Sequence, residues 1–204
     1  MVKFAPQVKD YLWQSKKATL HIIGGIRLMA KPSKQQLEQL DKLRVLVVEI
    51  MKDMVIWENF DLDLLYEIPL AVLKRNATQR HGATKWQRGI SRDQLGLEFV
   101  EVIELHPELL SRDWNAYAAF VLHHEFIHAL GFHNHDAEFR HLEYSWPGVE
   151  AGEIGPEFTE YLRRRSAKWL WKCLTCSKSF PRKKPSKGKY KCRKCSTILT
   201  DVQT

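Results

Sequence analysis

The sequence has 204 residues, of which 44% are hydrophobic and 11% aromatic. This length can bury one substantial core and a small second unit, and the composition is typical of a folded, soluble protein. The sequence has neither an apolar run long enough to span a membrane nor the apolar region of a signal peptide at its N-terminus. We therefore expect an intracellular, cytoplasmic protein without a membrane partner.

The net charge of +8 is concentrated near the C-terminus. Residues 161–204 carry fourteen lysines and arginines and one acid, Asp201, which makes them +13 and leaves −5 for residues 1–160. Clustered positive charge is typical of chains that bind a polyanion, most simply nucleic acid. A solvated charged surface is the alternative. DNA binding would place the protein at a nucleoid or in a nucleus.

The first part of the chain predicts an extension followed by a helix. Residues 1–31 form an extension without an assigned role, whose one short apolar run, at 20–23, predicts a strand or a buried segment. Ser33 and Gln36 have the spacing of a capping box. Apolar residues then recur at helical spacing, which predicts a core helix: they are Leu37, Leu40, Leu43, Val47, Ile50, Met51 and Met54.

Two further elements are predicted between this helix and residue 106. Residues 60–72 predict a strand or a short helix, limited by Pro69. Residues 97–105 are rich in β-branched and aromatic side chains, which predicts a strand that ends before His106 and Pro107.

A helix with a metal-binding motif is predicted next. Residues 114–130 contain neither proline nor glycine, the segment 111–113 offers capping side chains, and Gly131 stands where a helix C-terminus favours glycine. The run from His124 to His128 reads H-E-x-x-H. Residues four apart share a helix face, so both imidazoles can bind one zinc ion. Glu125 can then take a proton from a metal-bound water, as in zinc hydrolases. His123 points about 100° away, which favours a packing or hydrogen-bonding role.

Such a site needs a third protein ligand. The candidates are His133, His135, His141 and several acids downstream. The metzincin pattern would place its third histidine at position 134, which is Asn134. The residues after His135 read as the beginning of a new helix.

The segment H-E-F-I-H-A-L, followed by a short turn and H-D-A-E-F, resembles the SprT-like (Spartan-like) metalloprotease domain. The resemblance assigns the catalytic zinc to His124, His128 and His135, and the catalytic acid to Glu125. It also matches Phe139 to the aromatic residue after the third ligand. The chain departs from many members at Asp136, where they have glycine, and its loop is short, so His133 stays open as the third ligand.

The resemblance also implies a fold and a substrate class. It implies an α+β, zincin-like domain of helices and a small sheet over residues 1–160, followed by a small zinc ribbon. The substrates would be proteins, and in the Spartan branch DNA-bound or DNA-crosslinked proteins, as in the repair of DNA–protein crosslinks. The strand at 97–105 would border the active cleft and pair with a bound peptide if it has a free edge; an internal strand is the alternative.

Residues 161–204 predict a basic linker helix and a zinc ribbon. Pro156 suits the first turn of a helix running to about residue 168. The spacing of Cys173, Cys176, Cys192 and Cys195 is typical of a ribbon in which four thiolates hold one structural zinc ion. Aromatic residues interleave with cations here, which suits either base stacking or the small ribbon core. The candidate nucleic-acid-binding residues are Arg163, Arg164, Arg165, Arg182, Lys183 and Lys184.

Two functions follow from these patterns. The first is a zinc metallopeptidase with one catalytic and one structural Zn²⁺. The second is a non-catalytic zinc-ribbon DNA-binding protein whose histidine site is structural. The presence of Glu125 favours the first, because a structural site does not need this carboxylate.

Overall fold

A computed structural model describes residues 31–91 and 95–204 of the chain. Within these residues, four α-helices and two three-stranded sheets form an α+β structure, as the sequence predicts. The predicted strand or buried segment at residues 20–23 lies outside the described residues. None of the described helices combines the length and the apolar character needed to cross a membrane.

The first helix, α1, spans Lys34–Lys52 and begins with the predicted capping box. Gln36 donates its backbone N–H to the Ser33 hydroxyl at 3.2 Å, and the Gln36 side chain accepts the Ser33 N–H at 2.9 Å. Both bonds satisfy donors that a helix N-terminus otherwise leaves open. The buried face of the helix consists of Leu40, Leu43, Val47, Val48 and Met51.

The larger sheet contains β1 (Leu70–Val72), β2 (Gly82–Trp86) and β3 (Val100–Leu105) in the order β1-β3-β2. β3 is parallel to β1 and antiparallel to β2. The strand predicted at residues 97–105 is therefore internal, which is the second of the two alternatives left open by the sequence. Its first three residues instead form a 3-10 turn. In the described part of the chain, β2 pairs only with β3 and keeps one edge open.

The motif helix, α2, spans Asn115–Ala129 and packs between α1 and the sheet. The predicted side-chain cap is absent among the described residues, because a 3-10 turn at Arg112–Trp114 runs directly into the helix. Gly131 ends the helix as predicted, with a φ of 107° that favours glycine. Its N–H bonds to the His128 carbonyl and that of Phe132 to the Ile127 carbonyl, which is a Schellman motif.

Two shorter helices complete the larger unit. α3 spans Ala137–Tyr144, and the Asp136 carboxylate caps it by accepting the Phe139 N–H at 3.1 Å. α4 spans Gly155–Arg165 and ends about three residues before the predicted end. Phe158 and Leu162 of α4 belong to the same core as α1 and α2. The predicted division at residue 160 therefore falls inside a helix whose apolar residues belong to the larger core and which also contacts the C-terminal sheet.

The C-terminal unit is a second sheet with a core of its own. It contains β4 (Trp169–Lys172), β5 (Ser179–Arg182) and β6 (Thr200–Gln203), with β4 in the centre and both pairings antiparallel. The buried members of its hydrophobic cluster are Cys173, Cys192 and Leu199. Units with so small an apolar core usually need a bound metal or packing against another unit for stability.

Candidate metal centre

The three histidines matched by the resemblance meet at one point. The Nε2 atom of His135 lies 3.1 Å from Nε2 of His128 and 3.3 Å from Nε2 of His124. Zinc–nitrogen bonds of 2.0–2.1 Å in a tetrahedral arrangement place two ligand nitrogens about 3.3 Å apart. The spacing of the three rings therefore fits a single zinc ion.

In His124 and His128, the hydrogen bond of Nδ1 leaves Nε2 as the atom that can bind a metal. Nδ1 of His124 lies 2.6 Å from the Glu143 carboxylate, and Nδ1 of His128 lies 2.8 Å from the Phe132 carbonyl. A carboxylate and a carbonyl only accept hydrogen bonds, so each Nδ1 carries the proton. The neutral rings then direct unprotonated Nε2 lone pairs at the same point, as metal ligands require.

Local structure explains how these partners reach the two rings. The Schellman motif at Gly131 turns the chain back and presents the Phe132 carbonyl to His128. Glu143 projects from α3 and also accepts a hydrogen bond from Arg140. Burial opposes ionisation of Glu143, but hydrogen bonds from His124 and Arg140 lower its pKa to about 2. The carboxylate therefore stays charged at neutral pH.

Two features prepare these histidines for metal binding. Burial lowers the pKa of His128 to about 4 and also lowers that of His135. Both rings are thus unprotonated at neutral pH, which metal binding requires. The fully buried ring of Phe139 contacts all three imidazoles, with centroid distances of 4.7 to 4.9 Å. It forms an apolar support that orients the rings.

The other histidines near the motif lie elsewhere. Nε2 of His133 is 3.0 Å from the Leu95 carbonyl, and its ring contacts Trp86 edge-on, so the structure groups His135 with the two helical histidines. His123 is fully buried and stacks on Trp146 with a centroid distance of 4.7 Å. Neither of its ring nitrogens has a hydrogen-bond partner among the described residues. This is the packing role that its helix position predicts.

Glu125 is buried beside the three imidazoles, with 5% of its surface exposed. Burial raises its pKa, which opposes the charged form and favours proton uptake. The hydroxyl of Thr84 donates to its Oε2 atom at 2.7 Å. The Glu125 carboxylate therefore has a defined orientation in the cleft that the three histidines also line.

Sequence reasoning missed the contribution of β2 to this site. A Cβ atom at Gly82 would lie 2.6 Å from Oε1 of Glu125 and 2.9 Å from its Cγ atom. Only glycine therefore lets β2 approach α2 closely enough for Thr84 to reach the carboxylate. A glycine at the start of a strand can signal such an approach, but the pattern does not name the partner.

The metal centre forms one wall of a cleft of about 450 Å³. The opposite wall is β2, and the loop around Leu95 and His133 lies at one end. Residues outside the ligand set that line the cleft are Arg80, Gly82, Ala83, Thr84, Trp86 and Leu95. The open edge of β2 thus runs alongside the predicted catalytic residues.

The four cysteines form a second group whose sulfur atoms lie within 4.8 Å of one another. Sγ of Cys176 lies 3.7 Å from Sγ of Cys192, far beyond a disulfide bond and close to the roughly 3.8 Å expected in a tetrahedral zinc–thiolate site. Hydrogen bonds from backbone N–H groups, first that of Cys176, lower the pKa of Cys173 to about 6. The turn after Cys173 thus favours a thiolate at that residue, whereas the hydrogen bond with Cys176 raises the pKa of Cys195 to about 12.

The six candidate nucleic-acid-binding residues lie in two groups, three at the end of α4 and three on the ribbon, and α4 contacts β5. Arg164 pairs with Glu160 at 3.0 Å, and Arg165 pairs with the buried Glu108 at 3.4 Å. Arg165 therefore ties α4 to the larger core. The other group, Arg182, Lys183 and Lys184, lines a separate cleft of about 420 Å³ on the ribbon.

Aromatic rings line this ribbon cleft together with the cations. Trp171 and Tyr190 stack with their centroids 4.5 Å apart, and the Arg182 guanidinium lies 5.0 Å from the Trp171 ring. The Trp171 indole donates to the Lys184 carbonyl at 2.9 Å. Asp201 accepts the backbone N–H groups of Ser186 and Lys187 at 2.6 and 2.8 Å. These bonds hold the basic loop against the sheet.

The chain has no significant match among family models, curated proteins or solved structures. Its function is therefore inferred from the geometry of the two candidate metal sites and the clefts beside them.

Proposed function

We propose that the protein is a zinc-dependent metallopeptidase of the SprT-like type, with a zincin-like larger unit, that cleaves proteins associated with nucleic acid. The observation that carries this proposal is the convergence of three imidazole nitrogens beside a buried, oriented carboxylate. Among the described residues, no fourth side chain joins the histidine group. Three protein ligands are typical of catalytic zinc, whereas structural sites have four.

The chain's own residues support peptide hydrolysis. Zinc bound by the three histidines would supply a water molecule of lowered pKa and polarise the scissile carbonyl. Glu125 would take the proton of that water and pass it to the leaving amine, a role helped by its raised pKa. Thr84 fixes the orientation of this carboxylate through its hydrogen bond to Oε2.

The open edge of β2 supports an extended peptide as the substrate. Residues of β2 line the cleft from Gly82 to Trp86 next to Glu125. A peptide that adds to a free strand edge forms backbone hydrogen bonds whatever its sequence. Such binding suits an enzyme that cuts many different proteins.

The ribbon supports association with nucleic acid. Its cleft combines a stacked aromatic pair with Arg182, Lys183 and Lys184. Aromatic faces bind exposed bases by stacking, and the cations neutralise phosphates. A ribbon held together by four thiolates and one zinc ion would carry this surface close to the peptidase unit.

The test is cleavage of a DNA-binding protein by the wild-type chain and by Glu125→Gln, each with and without single- and double-stranded DNA. We expect the variant to lose cleavage and to keep about two zinc ions per chain, one for each site. Unchanged cleavage by the variant would refute the proposed role of Glu125. No cleavage by the wild type, with retained DNA binding, would favour the non-catalytic alternative.

A further inference from the structure

The two ends of the cleft differ in chemistry. Arg80 lies two residues before β2, and Trp86 is the last residue of β2. Both side chains line the cleft, and Gly82 and Thr84, which contact Glu125, lie between them in sequence. Arg80 and Trp86 are each roughly two to four residues along the chain from Gly82 and Thr84, the two residues beside Glu125.

Arg80 provides a positive charge at one end. Its side chain is exposed and forms no hydrogen bond or ion pair within the described part of the chain. By contrast, Arg140 and Arg165 pair with the buried carboxylates Glu143 and Glu108. A guanidinium on a cleft wall with its donors free is suited to bind a carboxylate with two parallel hydrogen bonds.

Trp86 and its neighbours provide an apolar surface at the other end. The Trp86 ring contacts His133 edge-on, with a centroid distance of 5.1 Å. The hydrogen bond between Nε2 of His133 and the Leu95 carbonyl, at 3.0 Å, holds that imidazole in place. The Leu95 side chain lines the same end and is only partly buried. Aromatic and aliphatic groups arranged in this way favour an apolar side chain.

We propose that the cleft selects peptides with an acidic side chain at the Arg80 end and an apolar side chain at the Trp86 end, on opposite sides of the scissile bond. This inference rests on the proposed peptidase function and specifies its substrate class. Backbone pairing with β2 holds the peptide, and the two end contacts determine which bond lies beside Glu125.

The test separates binding from cleavage. Zinc-loaded Glu125→Gln protein is titrated with three fluorescent peptides. The first carries both the acidic and the apolar side chain. The second has lysine in place of the acidic residue, and the third has serine in place of the apolar residue. We expect each replacement to weaken binding about tenfold, the size of one lost side-chain contact. The wild-type enzyme, which keeps Glu125, is given the same peptides. Its kcat/KM should rank the peptides in the same order as their binding affinity does.

Charge reversal distinguishes recognition from a structural role. Arg80→Glu should invert the preference, so that the lysine peptide binds better than the acidic one, whereas Arg80→Lys should keep it. Trp86→Ala should remove the apolar preference and leave the acidic one. Arg112→Glu is the matched control, because Arg112 lines a different cavity, between α1 and the start of α2. Zinc content and thermal unfolding verify that each variant is folded.

The possible outcomes are distinguishable. Equal binding of all peptides, absent binding, or an unchanged preference in Arg80→Glu would overturn the inference, even if cleavage is observed. If the peptides bind selectively but the wild type does not cleave them, the peptidase function is refuted and the inferred binding selectivity stands. Loss of oligonucleotide binding in Arg80→Glu, with the peptide preference unchanged, would assign Arg80 to nucleic acid and would also overturn the inference.

Discussion

Thr84 and Glu125 are joined by a hydrogen bond of 2.7 Å between the hydroxyl and Oε2, although they are 41 residues apart in sequence. The same hydroxyl also lies 3.1 Å from the Glu125 backbone carbonyl. This contact attaches β2 to the helix that carries the H-E-x-x-H motif. It couples the strand proposed to bind substrate to the carboxylate proposed to act as the base.

Replacing Thr84 should alter the pH dependence of cleavage. The hydrogen bond from Thr84 lowers the pKa of Glu125, against the larger raising effect of burial. Thr84→Val removes the hydroxyl with little change in shape, so the pKa of Glu125 should rise. The acidic limb of the kcat/KM profile should then move to higher pH, with about a tenfold loss at neutral pH. Thr84→Ser keeps the hydroxyl and should keep the profile; an unshifted limb in Thr84→Val would contradict this role.

Adding a methyl group at Gly82 should disturb the same contact sterically. The new Cβ atom would lie 2.9 Å from Cγ1 of Val121 as well as close to the Glu125 carboxylate. We expect Gly82→Ala to lower kcat/KM by about tenfold to a hundredfold, because the base is displaced. Overpacking should also lower the free energy of unfolding by about 1–3 kcal/mol. Activity and urea denaturation are the measurements, and zinc content should stay unchanged; full activity would show that β2 does not position the base.

Glu143 should affect zinc affinity without being a ligand. It fixes the ring of His124 through the bond of 2.6 Å to Nδ1. Loss of a residue that hydrogen-bonds to a metal ligand typically weakens metal binding by about tenfold to a hundredfold. Competition with a chelator should show this weakening for Glu143→Gln at the histidine site, while the cysteine site keeps its zinc. Glu138→Gln, an exposed residue on the same helix, is the control and should behave as the wild type.

Acid should destabilise the larger unit partly through His81. Its Nδ1 lies 2.5 Å from the Tyr117 hydroxyl and its Nε2 lies 3.0 Å from the Thr159 hydroxyl. Burial, with a smaller effect from His106, lowers the pKa of His81 to about 4. Between this value and the usual 6.5, the unfolded chain binds the proton and the folded chain does not. The stability due to neutral His81 is therefore complete above pH 6.5 and is lost as the pH falls toward 4.

The measurement is the free energy of unfolding of wild type and His81→Gln in urea at several pH values, both loaded with zinc. The difference between the two proteins should shrink as the pH falls from 6.5 to 4, since glutamine does not titrate. A difference that stays constant over this range would show that His81 does not contribute to the acid sensitivity. Comparison of two zinc-loaded proteins cancels the general effect of acid on metal binding.

Features that depend on neighbours in sequence could be predicted without the fold. The capping box at Ser33, the helix end at Gly131 and the shared face of His124 and His128 all involve residues within four positions of one another. Helix geometry determines these relationships once a helix forms. The two Cys-x-x-Cys pairs are local in the same sense, and their spacing suffices to predict a metal site.

Tertiary structure decided the rest. His133 and His135 have the same chemistry and are two positions apart, so the ring that meets the helical pair depends on the turn after Gly131 and on the helix capped by Asp136. The contacts of Gly82, Thr84 and Glu143 join segments 19 to 43 residues apart. No local spacing encodes them, because they result from how β2 and α3 pack against the motif helix. For the same reason, only packing shows that Arg165 is paired with Glu108, whereas Arg80 lines the cleft without a hydrogen bond or ion pair to any other described residue.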